Sequence, residues 1–450
     1  MRNVFFGALM GATLFVACAK NDPVPAPAPK DVVTIEAANT VCGNEEQTFQ
    51  IPVTVSKTLL GTDLAATTDV AWLTPGEYAD GEFSFQVTGK NPSLSNRLAK
   101  VTFTYGEASK DIWVIQGQYI ANCYVVSAPG SYCLKAVKGG AAIAPISGVA
   151  SAEVLWESFG TDAIPKKGDV VASVSCGDGL ISFSTPETLH NGNAVIAAKD
   201  ASGKVLWSWH IWICEGYNPN GTGQDYYNAA GTMMDRNLGA LSTEAGTVEA
   251  LGLLYQWGRK DPFLGSSRIA YETLERRVKA ASTLVWPDAV ASDATSGTLE
   301  YAVANPTTFI KMNANNDDWY YSGDASTDNA RWGEERIFFD PCPAGWRVPA
   351  VSVWVNAWNQ SKAWDDTKKG GDFTQKFGDA PSIWYPAAGN LDDDAFLALV
   401  GVFGFWWSCT PGPDNGYQAY SLYVREAETK PKSLGGRGYA HSVRCVKSLN

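Results

Sequence analysis

Three histidines, His190, His210 and His441, sit in three unrelated contexts, and none falls in an HExxH, GxSxG or glycine-rich phosphate-loop pattern. Nucleophilic or metal-assisted catalysis needs titratable groups that converge on one reacting atom. Paired carboxylates do occur, as Asp392, Asp393 and Asp394 in "NLDDDAF" and as Asp317 and Asp318 in "NANNDDWYYSGD". Their hard oxygens suit calcium, but neither run matches a calcium-binding loop. Cys42, Cys123, Cys133, Cys176, Cys214, Cys342, Cys409 and Cys445 include no CxxC and no Cys/His cluster, which argues against zinc. His210 lies in an apolar strand with no partner motif. These residues point away from an enzyme, and no catalytic residue, metal or cofactor is expected.

One further cysteine reads differently. Met1-Arg2-Asn3 is a short basic start, Val4 to Ala17 is apolar and small, and Cys18 follows directly. The apolar run is too short to span a bilayer and suits a secretory leader over residues 1–17. "FVAC" then offers Cys18 for lipidation, with several acyl chains each contributing about 0.8 kcal/mol per buried CH₂. Residues 18–30, "CAKNDPVPAPAPK", alternate proline with alanine and valine and form an extended tether without a core. The expected location is the outer membrane, lipid-anchored and facing the cell surface, in an oxidising setting where disulfides persist.

The chain has 450 residues and a formal charge of -12. Its length implies two to four domains. Thinly spread Lys and Arg give no basic patch, which excludes a nucleic-acid partner. Glycine-bounded, ring-rich segments without long helical periods give a mainly β chain, closing on a domain of mixed α+β character. Residues 31–118 alternate as half-exposed strands in "TFQIPVTVS", "GEFSFQVTG", "LAKVTFTYG" and "KDIWVIQGQ", spaced like a small immunoglobulin-like β-sandwich. Residues 119–215 make a second β-sandwich module. In it "ANCYVVSAPGSYCL" reads as strand, Pro-Gly turn, strand, which would place Cys123 and Cys133 close enough across a hairpin to form a disulfide. "NAVIAAKDASGKVLWSWHIWIC" is a further hairpin, and its Trp207, Trp209 and Trp212 are expected to fill a core. In residues 216–450, "LGLLYQWGRKD" and "VPAVSVWVNAWNQ" have apolar positions at helical spacing, with Trp354 and Trp358 four apart.

Two segments resemble known families. "VAWLT" with Trp72, the "NPSLSNR" turn with Arg97 and the strand ending near Gln116 resemble the BACON domain, an immunoglobulin-like module of Bacteroidetes. In residues 216–450 the ordered phrases "MMDRNLGA", "GLLYQWGRKDPF", "DPCPAGWRVP", "FGFWWSCT", "YSLYV" and "GYAHSVRCVK" resemble the Fibrobacter succinogenes major paralogous domain, a C-type-lectin-like fold. That resemblance brings the terminal strand back to the "DPCPAGWRVP" turn and so implies a disulfide between Cys342 and Cys445. Lectin-like folds carry ligands on long loops over a rigid frame. By that likeness the ligand-binding candidates are Trp406, Trp407, Asp414, Asn415 and Tyr417 in "WWSCTPGPDNGYQAY". As neighbours on a strand, Trp406 and Trp407 face opposite ways, so one of the two is as readily core. The calcium motifs of some lectin-like folds, "EPN" and "WND", are absent.

The expected function is non-catalytic recognition and adhesion at the cell surface, with a glycan or a surface protein bound by the C-terminal domain. The alternative is a structural or accessory subunit of a fimbria-like assembly. An assembly subunit should expose an unpaired edge strand, whereas a binder should show a concave aromatic patch.

Overall fold

The computed structural model describes residues 32–139, 145–270, 275–276, 281–313, 316–321, 323, 328–357, 364–373, 383–413 and 417–448. The expected leader, Cys18 and the tether lie outside these residues, as do Asp414, Asn415 and Trp358.

The chain is mainly β, arranged in several sheets. Strands β1 (Gln47–Pro52), β2 (Leu73–Ala79) and β3 (Glu82–Val87) form an antiparallel sheet in the order β1-β3-β2. It faces the hairpin of β4 (Asn96–Tyr105) and β5 (Ala108–Gln116). Alternate residues turn inward, so Phe83, Phe85, Val101, Phe103, Ile112 and Val114 build one core. Trp72, Arg97 and Gln116 meet here. The Arg97 guanidinium lies 4.7 Å from the Trp72 ring centre, and its Nε donates to Gln116 Oε1 at 2.8 Å.

Strands β6 (Cys123–Val126) and β7 (Ser131–Lys135) do not form the expected hairpin. The Pro-Gly connection carries the chain from one sheet to another. β7 pairs with β9 (Leu180–Ser184) and also with β4 of the preceding segment, Tyr132 opposite Arg97. β6 instead runs parallel to β11 (Val205–Ile213), in a sheet completed by β8 (Ser151–Ser158) and β10 (Gly192–Lys199) in the order β6-β11-β10-β8. Cys123 and Cys133 therefore sit in different sheets, both buried and both free, and the pairing expected between them is corrected. The β10–β11 hairpin forms as expected, its turn held by Asp200, whose Oδ1 accepts from Ser202 N at 2.8 Å and Lys204 N at 3.0 Å.

Both faces of β11 are covered. Trp207, Trp209, Ile211 and Ile213 point to a core shared with Tyr132 and Leu134 of β7 and Ile181 and Phe183 of β9. Trp212 on the opposite face packs with Cys123, Val125, Trp156 and Val195 against Met234, Leu238, Leu253, Trp257, Trp346 and Trp407 from beyond residue 216. The boundaries expected at 118/119 and 215/216 are thus crossed, the first by a shared sheet and the second by a shared core.

After residue 216 the helix expected over 251–261 is absent. Leu254–Gln256 is strand β12, hydrogen-bonded along Ala440–Ser442, with Leu254, Tyr255 and Trp257 fully buried. Apolar residues on every side make a short buried strand as readily as a helix stripe, and periodicity alone does not separate them. Helices are short: α1 (Leu299–Ala304), capped by the Thr298 hydroxyl, and α2 (Ser352–Ala357), the described part of the second expected helix. The main sheet comprises β13 (Asn390–Leu391), β14 (Phe396–Ala398), β15 (Phe403–Pro411), β16 (Gln418–Arg425), β17 (Thr429–Gly436) and β18 (Ala440–Ser442). Its order is β14-β13-β18-β15-β16-β17.

The "DPCPAGWRVP" turn is a staple. Cys342 and Cys445 form a disulfide across 103 residues of sequence, with Cα atoms 6.1 Å apart. The buried Asp340 carboxylate closes the turn by accepting from Cys342 N at 2.8 Å and Val348 N at 3.0 Å. Gly345 takes φ +80°, a left-handed conformation that favours glycine. Arg347 Nη1 donates to the neighbouring carbonyl of Val348 at 3.1 Å. The turn is also tied to the second β segment. Asn122 Nδ2 donates to Phe338 O at 2.6 Å and Asp340 O at 2.9 Å, and Arg336 bridges Ile120 O and Cys342 O at 3.0 and 2.8 Å.

Replacing both bridged cysteines, Cys342→Ser with Cys445→Ser, is expected to lower the unfolding free energy by about 2–5 kcal/mol. The urea midpoint of the full chain reads this out, and an unchanged midpoint would mean the bridge constrains nothing. Thiol labelling of the unfolded, unreduced chain should tag Cys123 and Cys133 and spare Cys342 and Cys445.

Candidate functional site

Trp406 and Trp407 are fully buried, which removes both from direct ligand contact. Trp406 Nε1 donates to Asn237 Oδ1 at 2.8 Å, and its ring meets Tyr385 edge-on. Trp407 Nε1 donates to Tyr255 O at 2.9 Å. The strand turns the two rings to opposite faces, as alternation requires, but both faces are covered. Tyr417 is half-buried, and its carbonyl accepts from Arg437 N at 3.4 Å. Of the aromatic residues near the Asp317–Asp318 pair, Trp319 and Trp332 are fully buried as well.

One constellation has the makings of a nucleophile. Ser208 Oγ donates to Asp261 Oδ1 at 2.6 Å, and Lys260 Nζ contacts Ser208 Oγ at 2.5 Å and Asp261 Oδ1 at 2.7 Å. Lys260 donates here rather than accepting, and Ser208, Lys260 and Asp261 are 0%, 2% and 4% exposed. No substrate reaches them, so the cluster ties β11 to the segment after β12. Of the acidic pairs, Asp318 is held by the buried Arg331, whose Nη1 donates at 3.0 Å and whose Nη2 makes a second short contact. Arg437 lies 3.5 Å from the same carboxylate. That side chain is committed to two guanidiniums. Among the described residues, no group of three or more His, Cys, Asp and Glu side chains gathers where a metal could sit.

An open concavity lies elsewhere, on the face of the main sheet. A cavity of about 470 Å³ is lined by Asn390 of β13, Asp392 and Asp393 of the following turn, Phe405 of β15, Ser421 of β16, Ser433, Leu434 and Gly435 of β17, and Tyr439 and His441 around β18. This volume falls in the range of small-ligand sites, about 300–1,000 Å³. Rings form a column beneath and beside it. Trp407 stacks on His441 with centres 4.0 Å apart, His441 on Phe405 at 4.8 Å, and Phe405 on Phe403 at 5.9 Å. Glycine at 435 is what lets β17 close over this column, since a Cβ there would stand 3.1 Å from Trp407 and 3.3 Å from His441.

Two buried polar atoms in this lining have no partner among the described residues: Asn390 Oδ1 and His441 Nδ1. Their side chains are 6% and 3% exposed. An unpaired buried polar group costs about 1–3 kcal/mol. Burial pushes the His441 pKa down from 6.5 to about 3, so the ring is neutral at physiological pH. At the rim, Asp392 Oδ1 accepts from Phe396 N at 2.7 Å and Asp394 N at 3.0 Å. Desolvation, with Asp393 and Asp394 nearby, raises the Asp392 pKa above the usual carboxylate value. Asp394 itself pairs with Lys311 at 2.7 Å. Ala395 and Leu399, both at φ 65°, bracket β14 in left-handed conformations rare for residues with a Cβ, and so fix the rim's shape.

Trp406, Trp407 and Tyr417 do not line this cavity, although Trp407 supports it through His441, and Asp414 and Asn415 lie outside the described residues. Asn390, Asp392, Asp393 and His441 are brought together only by strand pairing, Leu391 opposite Ala440. The "NLDDDAF" run drew attention as a calcium candidate, but nothing in the spacing of 390 and 441 announces their meeting.

No protein-family profile matches the chain, and no curated protein matches it. Among solved structures, titin domain M7 is similar at 12% identity, covering 18% of this chain and 91% of its own, with a TM-score of 0.14. The titin I67–I69 tandem matches at 11% identity over 40% of this chain and 63% of its own, with a TM-score of 0.14. The tandem immunoglobulin repeats of Dlar match at 10% identity over 40% of this chain and 97% of theirs, with a TM-score of 0.15. Likeness at these scores supports no statement about function.

The burial of His441 and of His210, whose pKa also falls to about 3, has a measurable consequence. Both are neutral when folded and protonate freely near pH 6.5 when unfolded, so the unfolded state binds more protons between those values. Stability is therefore expected to decline as pH falls from about 6.5 towards 3. Ring proton shifts of both histidines should stay constant between pH 5 and 8, and a titration midpoint inside that window would contradict their burial.

Proposed function

We propose that this protein recognises a ligand at the cell surface without catalysis, held to the outer membrane by lipid on Cys18 and presenting residues 216–450 as a C-type-lectin-like head. The bound species is a glycan or a surface protein. One observation carries the reading: an open cavity of about 470 Å³ on the sheet face, walled by stacked rings and rimmed by carboxylates, while the nucleophile-like cluster is sealed elsewhere in the fold. The residues that resemble a BACON domain, Trp72, Arg97 and Gln116, form one stacked and hydrogen-bonded unit, which supports a rigid spacer role for residues 31–118. Lipid at Cys18 is the proposed means of attachment because the apolar run Val4 to Ala17 ends on small Ala17 directly before that cysteine.

The assembly-subunit reading is less well supported. The outermost strand of the main sheet, β17, carries Lys430, Pro431 and Lys432 along its length. Lysine and proline on an edge oppose the addition of a further strand.

A glycan array and a surface-protein pull-down, both using the full chain in detergent, test the proposal. Binding that is lost in Asn390→Ala, with the unfolding midpoint kept within about 1 kcal/mol of the parent, is the expected result. Binding that ignores Asn390 would move the site elsewhere. Silence on both screens would remove the recognition function.

A further inference from the structure

A second concavity, of about 310 Å³, opens where β11 begins and shares no lining residue with the sheet-face cavity. Trp207 lies at its base, and its apolar walls are Leu299 and Val303 of α1 with Phe338 and Phe339 ahead of the disulfide turn. These walls are anchored by the fold itself. Trp207 Nε1 donates to Asn122 Oδ1 at 3.0 Å, and Asn122 Nδ2 in turn holds Phe338 O at 2.6 Å. Trp332 Nε1 donates to Phe339 O at 2.9 Å, the Phe339 ring centre lies 5.8 Å from that of Trp207, and Val303 packs against the same core. Phe338 is left 42% exposed at the mouth.

The lining has few polar groups besides charged ones. No side-chain hydroxyl, amide or imidazole lines the groove, and its one indole N–H is already given to Asn122. A free sugar would leave most of its hydroxyls against hydrocarbon here, whereas an apolar body would be well matched. The charges are Lys138, Lys204 and Glu300, all exposed, and none of the three is in an ion pair among the described residues. The Lys138 ammonium stands 5.8 Å from the Trp207 ring centre, over the base of the groove. Asp200, the acidic neighbour of Lys204, gives its Oδ1 to Ser202 and to the Lys204 backbone N–H. Two cations against one carboxylate leave the lining positive, in a chain whose formal charge is -12.

We infer that this groove binds an apolar monocarboxylate, its hydrocarbon body laid between Leu299, Val303 and the two phenylalanines and its carboxylate set against Lys138 and Lys204. Charge complementarity selects the anion, since a cation would meet two like charges and a neutral ligand would gain nothing from either lysine. Apolar burial supplies the affinity and the charge pair the preference. The volume, at the lower end of the range of about 300–1,000 Å³ for small-ligand sites, admits one ring with a short chain. The site is additional to the recognition proposed above and does not depend on it.

Calorimetry on the full chain with phenylbutyrate, phenylbutanamide and phenylbutylamine tests this, the three sharing one apolar body. The acid is expected to bind about tenfold or more tightly than the amide, and the amine more weakly than both. Lys138→Gln with Lys204→Gln, both at exposed positions, should bring the acid down to the affinity of the amide and keep the thermal midpoint close to the parent's. Glu300→Gln should tighten the acid about twofold and leave the amide unchanged. Asn390→Ala should alter none of these affinities.

Equal affinity for acid and amide, or tighter binding of the amine, would overturn the inference. An acid preference that survives loss of both lysines would place the site elsewhere and do the same, as would one that disappears in Asn390→Ala. Dihexanoyl-phosphatidylglycerol separates a free acid from a lipid headgroup. If it binds more tightly than phenylbutyrate and is lost with both lysines, the groove belongs to a lipid and the free acid is overturned. Failure of all three phenyl probes would overturn this site alone and leave recognition of a glycan intact.

Discussion

Strand Val205–Ile213 is buried on both faces, and most of the molecule is arranged around that fact. Its odd-numbered residues from Trp207 fill the core beneath β7 and β9, while Trp212 opens on to the core of the C-terminal region. A strand with no solvent face cannot leave its polar atoms unpaired. Ser208 is accordingly bound to Lys260 and Asp261, and His210 Nε2 meets Asn193 Oδ1 at 2.9 Å. Asn122, at the foot of the adjacent strand, accepts from Trp207 Nε1 at 3.0 Å and donates to the carbonyls of the disulfide turn. The staple, the keel strand and the last sheet are thereby one packed unit. The price of separating residues 216–450 from the rest would be exposure of Trp346, Trp407 and Trp257 together with several orphaned hydrogen bonds.

This arrangement explains why groups that look catalytic in composition are inert in place. Lysine, serine and aspartate within hydrogen-bond reach are chemically capable of activating a hydroxyl. Here desolvation pulls the Lys260 pKa down, while Asp261 beside it favours the charged form. An ion pair with a serine hydroxyl wedged into it is a satisfied polar joint between two segments, and its burial is its function. The same logic applies to Arg331, Asp318 and Arg437, which lie among Trp257 and Trp319. Other buried cations are held by neutral acceptors instead: Arg259 donates to Gln256 Oε1 at 2.9 Å and Thr308 O at 2.8 Å, and Arg444 to Trp384 O at 2.6 Å.

Much of the framework was legible from residue order. Alternation in "GEFSFQVTG" and "LAKVTFTYG" marks real strands because one face of each is buried and the period is two. The Asp200-Ala-Ser-Gly203 turn was equally readable, since its chemistry is local. Readings failed where tertiary partners decided the outcome. The Pro-Gly segment at 129–130 has hairpin composition, but β7 finds its partners at β4 and β9, tens of residues away, and that choice separates Cys123 from Cys133. Residues 251–261 show helical spacing because apolar residues crowd at Leu251, Leu253, Leu254, Tyr255 and Trp257, and their burial on all sides erases the periodic signal. The cavity lining was missed for a related reason. Aromatic phrases such as "WWSCT" draw attention through composition, yet Trp406 and Trp407 are large enough to be needed as core. The cavity is lined by small and unremarkable residues such as Asn390, Ser421 and Gly435, which acquire meaning only through strand order.

That strand order also bears on how a sheet of this size can offer a site and still avoid unwanted pairing. β17 is at once the outer strand of the sheet and a wall of the cavity, through Ser433, Leu434 and Gly435. Its two halves have different compositions. Thr429 to Lys432 is charged and contains a proline that has no N–H to donate, so that half of the edge is a poor template. Ser433 to Gly436 is small and uncharged, and it is this half that lies against the ring column. A bulky or charged residue here would either collide with Trp407 and His441 or fill the cavity. Edge protection and cavity formation therefore compete for the same strand, and dividing it lengthwise lets both be met.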